Sequence, residues 1–324
     1  MAVPYSRYVF GSIPWYGFLI VFGVVLAVFL AAREEKHAGL PKDTVIDLAL
    51  LIIPAGILGA RIYYVVFSFS SFRDNLLSVF YIWQGGLAIY GGIIAGLIAA
   101  WVFCKKRNIS FPTVADIIAP GLILAQAIGR WGNYFNQEAY GITVQNSSFC
   151  FFPFAVLIQE ESGPVWHLAT FFFESVINFA IFVYLLFARR KTFRYKGDVF
   201  CFEILLYASG RLVIENFRLD SLYSPFGKIR VSQLLSVILC ILIITRYYKK
   251  LRFIRSISAY PFILLTSYAL FSLFVLVFCF DPSVFGMSAV QQSVFLTLYA
   301  ALGILALFSI YGHSKKEDVL YAFH

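Results

Sequence analysis

"GRWGNYFNQEAYG", Gly129–Gly141, closes a long apolar run and places an arginine, two asparagines, a glutamine and a glutamate within nine residues. An arginine or aspartate at the centre of a membrane-spanning helix costs about 2.5–3.5 kcal/mol on insertion scales, so such residues face a bundle interior or water and have partners. Gly129, Gly132 and Gly141 bracket the stretch. Glycine permits turns and close approach to a ligand, and broken helix ends at membrane depth are tolerated where they line a cavity. The stretch therefore predicts a helix ending in a wet, anion-accepting pocket, provided the rest of the chain is built for a bilayer.

Composition says that it is. The 324 residues are 60% hydrophobic and 13% charged, against about 25% charged in a soluble domain. The 36 phenylalanines suit lipid-facing helices with aromatic belts. The net charge of +9 could suggest nucleic acid, but the basic residues stand in short clusters between apolar runs, which is a topology pattern. The cysteines show neither a disulfide framework nor metal spacing. The N-terminal "MAVPYSRYVFGSIPWYG" lacks a basic stretch leading into a short apolar core, so the first helix is expected to be retained.

About 20 apolar residues make a spanning helix. Nine such segments are predicted, at about 15–32, 45–67, 87–104, 113–131, 167–188, 199–217, 231–248, 258–280 and 288–312. With loops assigned alternately to two sides, eighteen of the 26 Lys and Arg fall on one side, including the clusters "KKR" (105–107), "RRKTFRYK" (189–196) and "RYYKKLRFIR" (246–255). Five fall on the other, and Arg61, Arg130 and Arg211 lie within or at the ends of helices. The positive-inside rule places the N-terminus outside and the C-terminus in the cytoplasm. The expected fold is an all-α polytopic membrane protein. Residues 67–84 form an exported, partly amphipathic arm, and 132–166 a small exported cap. Gly92 and Gly96 are spaced for close helix packing, or serve as flexible packing glycines.

Three arginine-bearing clusters carry the functional signal: Arg61 in "GARIYYVVF"; Arg130 with Asn133, Asn136 and Glu138; and Arg211, Glu215, Arg218 and Asp220 in "ASGRLVIENFRLDS". Arg211, Glu215 and Arg218 are spaced i, i+4, i+7 and are expected on one helix face. Converging arginines repel unless something anionic lies among them, and the guanidinium fork matches carboxylate or phosphate oxygens. A membrane supplies phosphates as lipid head groups. Helix-locking Arg–Glu pairs are the rival reading, most directly for Arg211 with Glu215 four residues on. A transporter or channel for an anionic substrate is the rival at the level of function.

The opening stretch closely resembles the signature of bacterial prolipoprotein diacylglyceryl transferases, G-R-x-G-N-[FY]-x-N-x-E-x-x-G, with every constrained position filled. "PWYGFLIVFG", "GARIYYVVF", "GGLAIYGGIIAG", "YASGRLVIENFRLDSL" and "RVSQLLS" are similar to further family motifs in the expected order, covering about residues 10–250. Three departures stand out. Tyr90 occupies a place where several members carry histidine. The motif P-[ST]-x-x-Y-E-S reads "ATFFFES", losing the Pro (Ala169) and the Tyr (Phe173) while keeping Thr170, Glu174 and Ser175. The family core has seven helices, so residues 1–254 are read as the transferase core and 255–324 as a two-helix extension.

The resemblance implies transfer of the diacylglyceryl group of phosphatidylglycerol to the lipobox cysteine thiol of preprolipoproteins, in a bacterial cytoplasmic (inner) membrane, with no cofactor or metal and no nucleic acid partner. Arg130 and Arg211 are then expected on the lipid phosphate, with Asn133, Asn136 and Gly141 in the head-group stretch. Glu138 and Glu215 would orient the arginines. Tyr90 is expected to position groups, relay a proton, or merely pack, since an unperturbed phenol is a poor base. Tyr16 contacts the head group or anchors at the interface. Arg61 makes a second anion contact or a helix-locking salt bridge, and His167 caps or anchors the fifth helix.

Overall fold

The computed structural model describes residues 6–189, 196–223, 230–252, 291–292 and 294–305. The chain is mostly helical. A short antiparallel pair, β1 (Tyr8–Phe10) and β2 (Ile13–Pro14), leads into α1 (Trp15–Glu34), α2 (Thr44–Phe67), α3 (Ile89–Lys106) and α4 (Phe111–Asn136). A hairpin of β3 (Ala155–Glu160) and β4 (Gly163–Leu168) precedes α5 (Thr170–Ala188), α6 (Asp198–Ile214) and α7 (Val231–Arg252). Helices α1 to α5 are long and apolar enough to cross a membrane; at 1.5 Å per residue, 20 residues match a hydrocarbon core of about 30 Å. A shorter apolar helix covers Val294–Leu305, inside the last predicted span. The predicted span at 258–280 lies outside the described residues.

The chain divides into two compact units. The described residues of 25–121 and 195–200 form one, in which α2 and α3 pack face to face. The close approach is at Gly59 and Gly91, where a Cβ on either would overlap the other's backbone. The expected pair contributes less: a Cβ at Gly92 would sit 3.3 Å from the Gly56 oxygen, and one at Gly96 would make ordinary contact, 3.5 Å from Ile52. In the same unit the Asp116 carboxylate accepts the N–H groups of Gly197 (2.5 Å) and Phe200 (3.0 Å), an anion satisfying the orphan donors that start α6.

The segment expected as an amphipathic arm is three 3-10 turns, Phe69–Phe72, Leu76–Phe80 and Ile82–Gln84. Arg61 accounts for its form. Its Nε donates to the Val79 carbonyl (2.7 Å), Nη1 to those of Gly85 (2.7 Å) and Gly86 (3.0 Å), and Nη2 to that of Ser78 (2.6 Å). Carbonyls turned onto a guanidinium are lost to a helical ladder, and Gly85 and Gly86 take left-handed φ values of +88° and +70°. Arg61 thus organises this segment through backbone carbonyls.

The described residues of 1–24, 122–194 and 201–324 form the second unit. Its cap holds the hairpin, a departure from an all-α expectation. The reason is visible in "AVLIQE" and "GPVWHL": short apolar runs around a two-residue turn, pairing from Ala155–Leu168 to Glu160–Gly163. Val156, Ile158, Ala169 and Phe171 form its buried core. His167 lies in β4, not at the head of α5; its ring contacts the Gly141 oxygen and Glu160, each at 2.9 Å.

Candidate active site

The site belongs wholly to the second unit and starts at the end of α4. Gln137 turns left-handed (φ +53°), its N–H donates to the Tyr134 carbonyl (3.2 Å), and the Glu138 N–H donates to the Asn133 carbonyl (3.0 Å). Those two bonds are a Schellman closure, which satisfies the last carbonyls of a helix. It also swings Glu138 back over the helix end, where Oε1 accepts from Asn133 Nδ2 (3.0 Å) and Asn136 Nδ2 (3.2 Å). Arg7 Nε reaches the Asn136 side-chain oxygen at 3.1 Å.

Helix α5 contributes the centre. The Ser175 hydroxyl donates to the Ala127 carbonyl (2.8 Å) and that of Thr170 to the Ala139 carbonyl (2.7 Å), fixing α5 against α4 and the chain that follows it. Between them Glu174 is buried, its side chain 3% exposed. Arg130 Nη2 lies 2.6 Å from its Oε1. Arg211 Nη1 donates to both oxygens, at 3.1 and 3.0 Å, and Arg218 Nη1 is 3.7 Å from Oε2. Three guanidinium groups from separate elements thus gather on one carboxylate. A lone buried carboxylate is unfavourable by several kcal/mol, and paired charges are what offset it.

The shared helix face expected of Arg211, Glu215 and Arg218 is modified. Helix α6 ends at Ile214, Glu215–Phe217 form a 3-10 turn, and Arg218 is extended. Arg211 Nη2 remains 2.9 Å from Glu215 Oε2, at ion-pair distance but without hydrogen-bond alignment. Arg218 also grips Asp220 through two bonds of 2.9 and 2.7 Å. The carbonyls ending α6 are met from the base of α7: Arg230 Nη1 donates to the Glu215 oxygen (2.7 Å) and Gln233 Nε2 to the Leu212 oxygen (3.2 Å).

Arg130 is the most open of the three arginines, its side chain 22% exposed against 15% for Arg211 and 9% for Arg218. A Cβ at Gly129 would meet nothing within 4 Å. Gly132 is the opposite case: a Cβ there would come within 2.6 Å of Tyr16 Cδ2 and 3.1 Å of its Cα. Tyr16 lies within electrostatic reach of both Arg130 and Glu138. We expect Gly132→Ala to lower stability by about 1–3 kcal/mol through overpacking, read as a reduced Tm, with Tyr16→Ala restoring most of the loss in the double variant.

The structure brings together Arg130, Asn133, Asn136, Glu138, Arg211, Glu215 and Tyr16. Orientation of Arg130, expected of Glu138, falls to Glu174. Gly141 has both backbone groups engaged, its N–H by the Leu168 oxygen (2.8 Å) and its carbonyl by His167, and a Cβ there would stand 2.8 Å from the Phe217 oxygen. Its smallness serves the crossing of chain segments. Arg61 and Tyr90 belong to the first unit, Tyr90 half-buried in the first turn of α3. Sequence reasoning did not assign Glu174, Arg7, Arg230 or Gln233 to the site. The available signal for Glu174 was a single carboxylate inside the apolar "TFFFESVINFAIFVYLLFA".

Residues 7–248 match the family profile described as prolipoprotein diacylglyceryl transferase. Among curated relatives, the phosphatidylglycerol–prolipoprotein diacylglyceryl transferase of Oceanobacillus iheyensis is 44% identical over 235 residues, covering 71% of this chain and 81% of that protein. The proteins of the same name from Enterococcus faecalis and Clostridium botulinum are 46% and 45% identical, covering 69% and 70% of this chain and 82% and 88% of theirs.

Proposed function

The chain belongs to the prolipoprotein diacylglyceryl transferase family, and we propose that the Glu174-centred arginines of its second unit are where the donor lipid's phosphate is held. The protein is a membrane transferase acting with phosphatidylglycerol on prolipoproteins, the first step of lipoprotein maturation. A transporter reading finds no support in its relatives. The observation that carries the site assignment is the meeting of Arg130, Arg211 and Arg218 on one buried carboxylate, with Arg130 the most exposed.

In the reaction, the sulfur of the acceptor cysteine, taken as the lipobox cysteine, attacks the glycerol carbon that bears the phosphate ester. The C–S bond forms, the C–O bond breaks, and its electron pair leaves on glycerol phosphate; the thiol proton is released. Negative charge builds on the departing oxygen, so donors already fixed there stabilise the transition state more than the ground state. Arg130 and Arg211 supply those donors. Asn133 and Asn136 each carry a second amide N–H beyond the one given to Glu138, for other head-group oxygens. Glu174 and Glu215 are positioning residues that hold the guanidinium planes. Tyr16, packed on Gly132, flanks the head group.

Several finer points complete the reading. The chain crosses a bacterial cytoplasmic membrane as a seven-helix core, residues 1–254, with two further helices in 255–324, the N-terminus outside. The overall assignment is tested by incubating purified protein with phosphatidylglycerol and a lipobox peptide. Thioether-lipidated peptide and free glycerol phosphate in equal amounts are expected; a protein that forms neither is not this enzyme.

A further inference from the structure

The described C-terminal helix lies past residue 248, where the family match ends, yet it shares a feature with the core. Val294–Leu305, α5 and α6 line an open groove of 480 Å³, with Ile177 and Ile181 from α5, Ser209 and Gly210 from α6, and Ala300 and Ala301 from the C-terminal helix. All belong to the second unit. The groove begins beside the arginine cluster: Ile177 stands one turn beyond Glu174, and Gly210 directly precedes Arg211. From Ile177 to Tyr184 its α5 wall extends about 10 Å along the helix axis.

Three polar side chains, Tyr184, Ser209 and Thr297, stand in this otherwise apolar wall, and Ser209 is the one that bears on its use. The Ser209 hydroxyl is buried, the residue 5% exposed, and it has no hydrogen-bond partner among the described residues. A buried hydroxyl left without a partner is unfavourable, so it marks a place where an acceptor is due. Reading back along α6 from Arg211, which itself does not line the groove, come the Ser209 hydroxyl and then the apolar Leu206. A phospholipid presents the complementary order: phosphate, ester carbonyl, acyl chain.

We propose that this groove holds one acyl chain of the donor phosphatidylglycerol, with the Ser209 hydroxyl donating to its ester carbonyl and the helix Val294–Leu305 forming the outer wall. The proposal rests on the reading of the arginine cluster as the phosphate site. It gives the C-terminal extension a role: it lengthens the lipid site beyond what the family core supplies.

The test uses the full chain in nanodiscs of phosphatidylcholine doped with phosphatidylglycerol carrying a mid-chain diazirine. Photolysis is expected to leave adducts on 294–305 and α5 that unlabelled phosphatidylglycerol removes and phosphatidylethanolamine does not. In parallel, Ala301→Trp, at an exposed position, is expected to raise the ratio of KM for long-chain over short-chain phosphatidylglycerol about fivefold, the lower end of an overpacking penalty. Adducts absent from the groove, equal displacement by phosphatidylethanolamine, or an unchanged KM ratio overturns the acyl-chain site while wild-type turnover leaves the phosphate site standing. A wild-type protein that transfers nothing from phosphatidylglycerol brings down both.

Discussion

Glu174→Gln is expected to reduce kcat/KM for diacylglyceryl transfer by about 10²–10³-fold, with KM for phosphatidylglycerol raised as well. The substitution keeps the shape of a side chain that is 3% exposed and removes the one charge on which Arg130, Arg211 and Arg218 converge. Removing one partner of a buried ionic cluster leaves like charges uncompensated and destabilises by about 3–5 kcal/mol. The same protein must therefore be assayed for Tm. Glu174→Asp separates stability from positioning: it keeps the charge, sets it back by one methylene, and is expected to fold with a smaller loss and a raised KM. Near-normal kinetics in a folded Glu174→Gln protein would show that the arginines need no such anchor.

Arg130 is the second large effect. Arg130→Ala is expected to lower transfer by about 10³-fold and Arg130→Lys by about 10²-fold, because an ammonium keeps the charge but loses the planar donor fork. The two substitutions also differ on Glu174. Lysine retains an ion-pair partner for its Oε1, so Arg130→Lys is expected to stay close to wild type in Tm while losing activity. Measured rates of thiol lipidation, compared with thermal melts on the same preparations, decide this. Equal activity of the lysine variant and wild type would reduce Arg130 to a helix-locking cation.

The helices and the polar end of α4 were legible because both rest on strong, local energetics. Twenty apolar residues have few alternatives in a bilayer, and "GRWGNYFNQEAYG" is too polar to continue a helix through hydrocarbon. Glycine spacing was legible only in part: Gly92 and Gly96 have the conventional separation, but the helices meet at Gly59 and Gly91, since helix rotation is set by all the contacts at once. The 3-10 arm and the cap hairpin were not foreseen. The first depends on Arg61 capturing carbonyls as many as 25 residues away. The second depends on pairing across a turn whose apolar flanks suit a helix or a strand equally.

The site was half legible. Arg130, Asn133, Asn136, Arg211 and Glu215 were singled out because polar and charged groups at depth imply partners. Partnership itself was not readable: Glu138, eight residues from Arg130, was the natural guess, and the carboxylate that holds Arg130 comes from α5, 44 positions away. Only packing of α5 on α4, fixed by Thr170 and Ser175, brings Glu174 there. The end of α6 shows the same limit, since regular i, i+4, i+7 spacing presumes a helix that stops at Ile214.

The most direct test of the central claim is the position of the lipid phosphorus, read from a density map of the full chain with phosphatidylglycerol and no acceptor peptide. The account predicts a phosphate whose oxygens lie about 2.7–2.9 Å from guanidinium nitrogens of Arg130 and Arg211, with Glu174 still beneath them. A phosphate resolved elsewhere in the protein, with both arginines fully occupied by carboxylates, would contradict it.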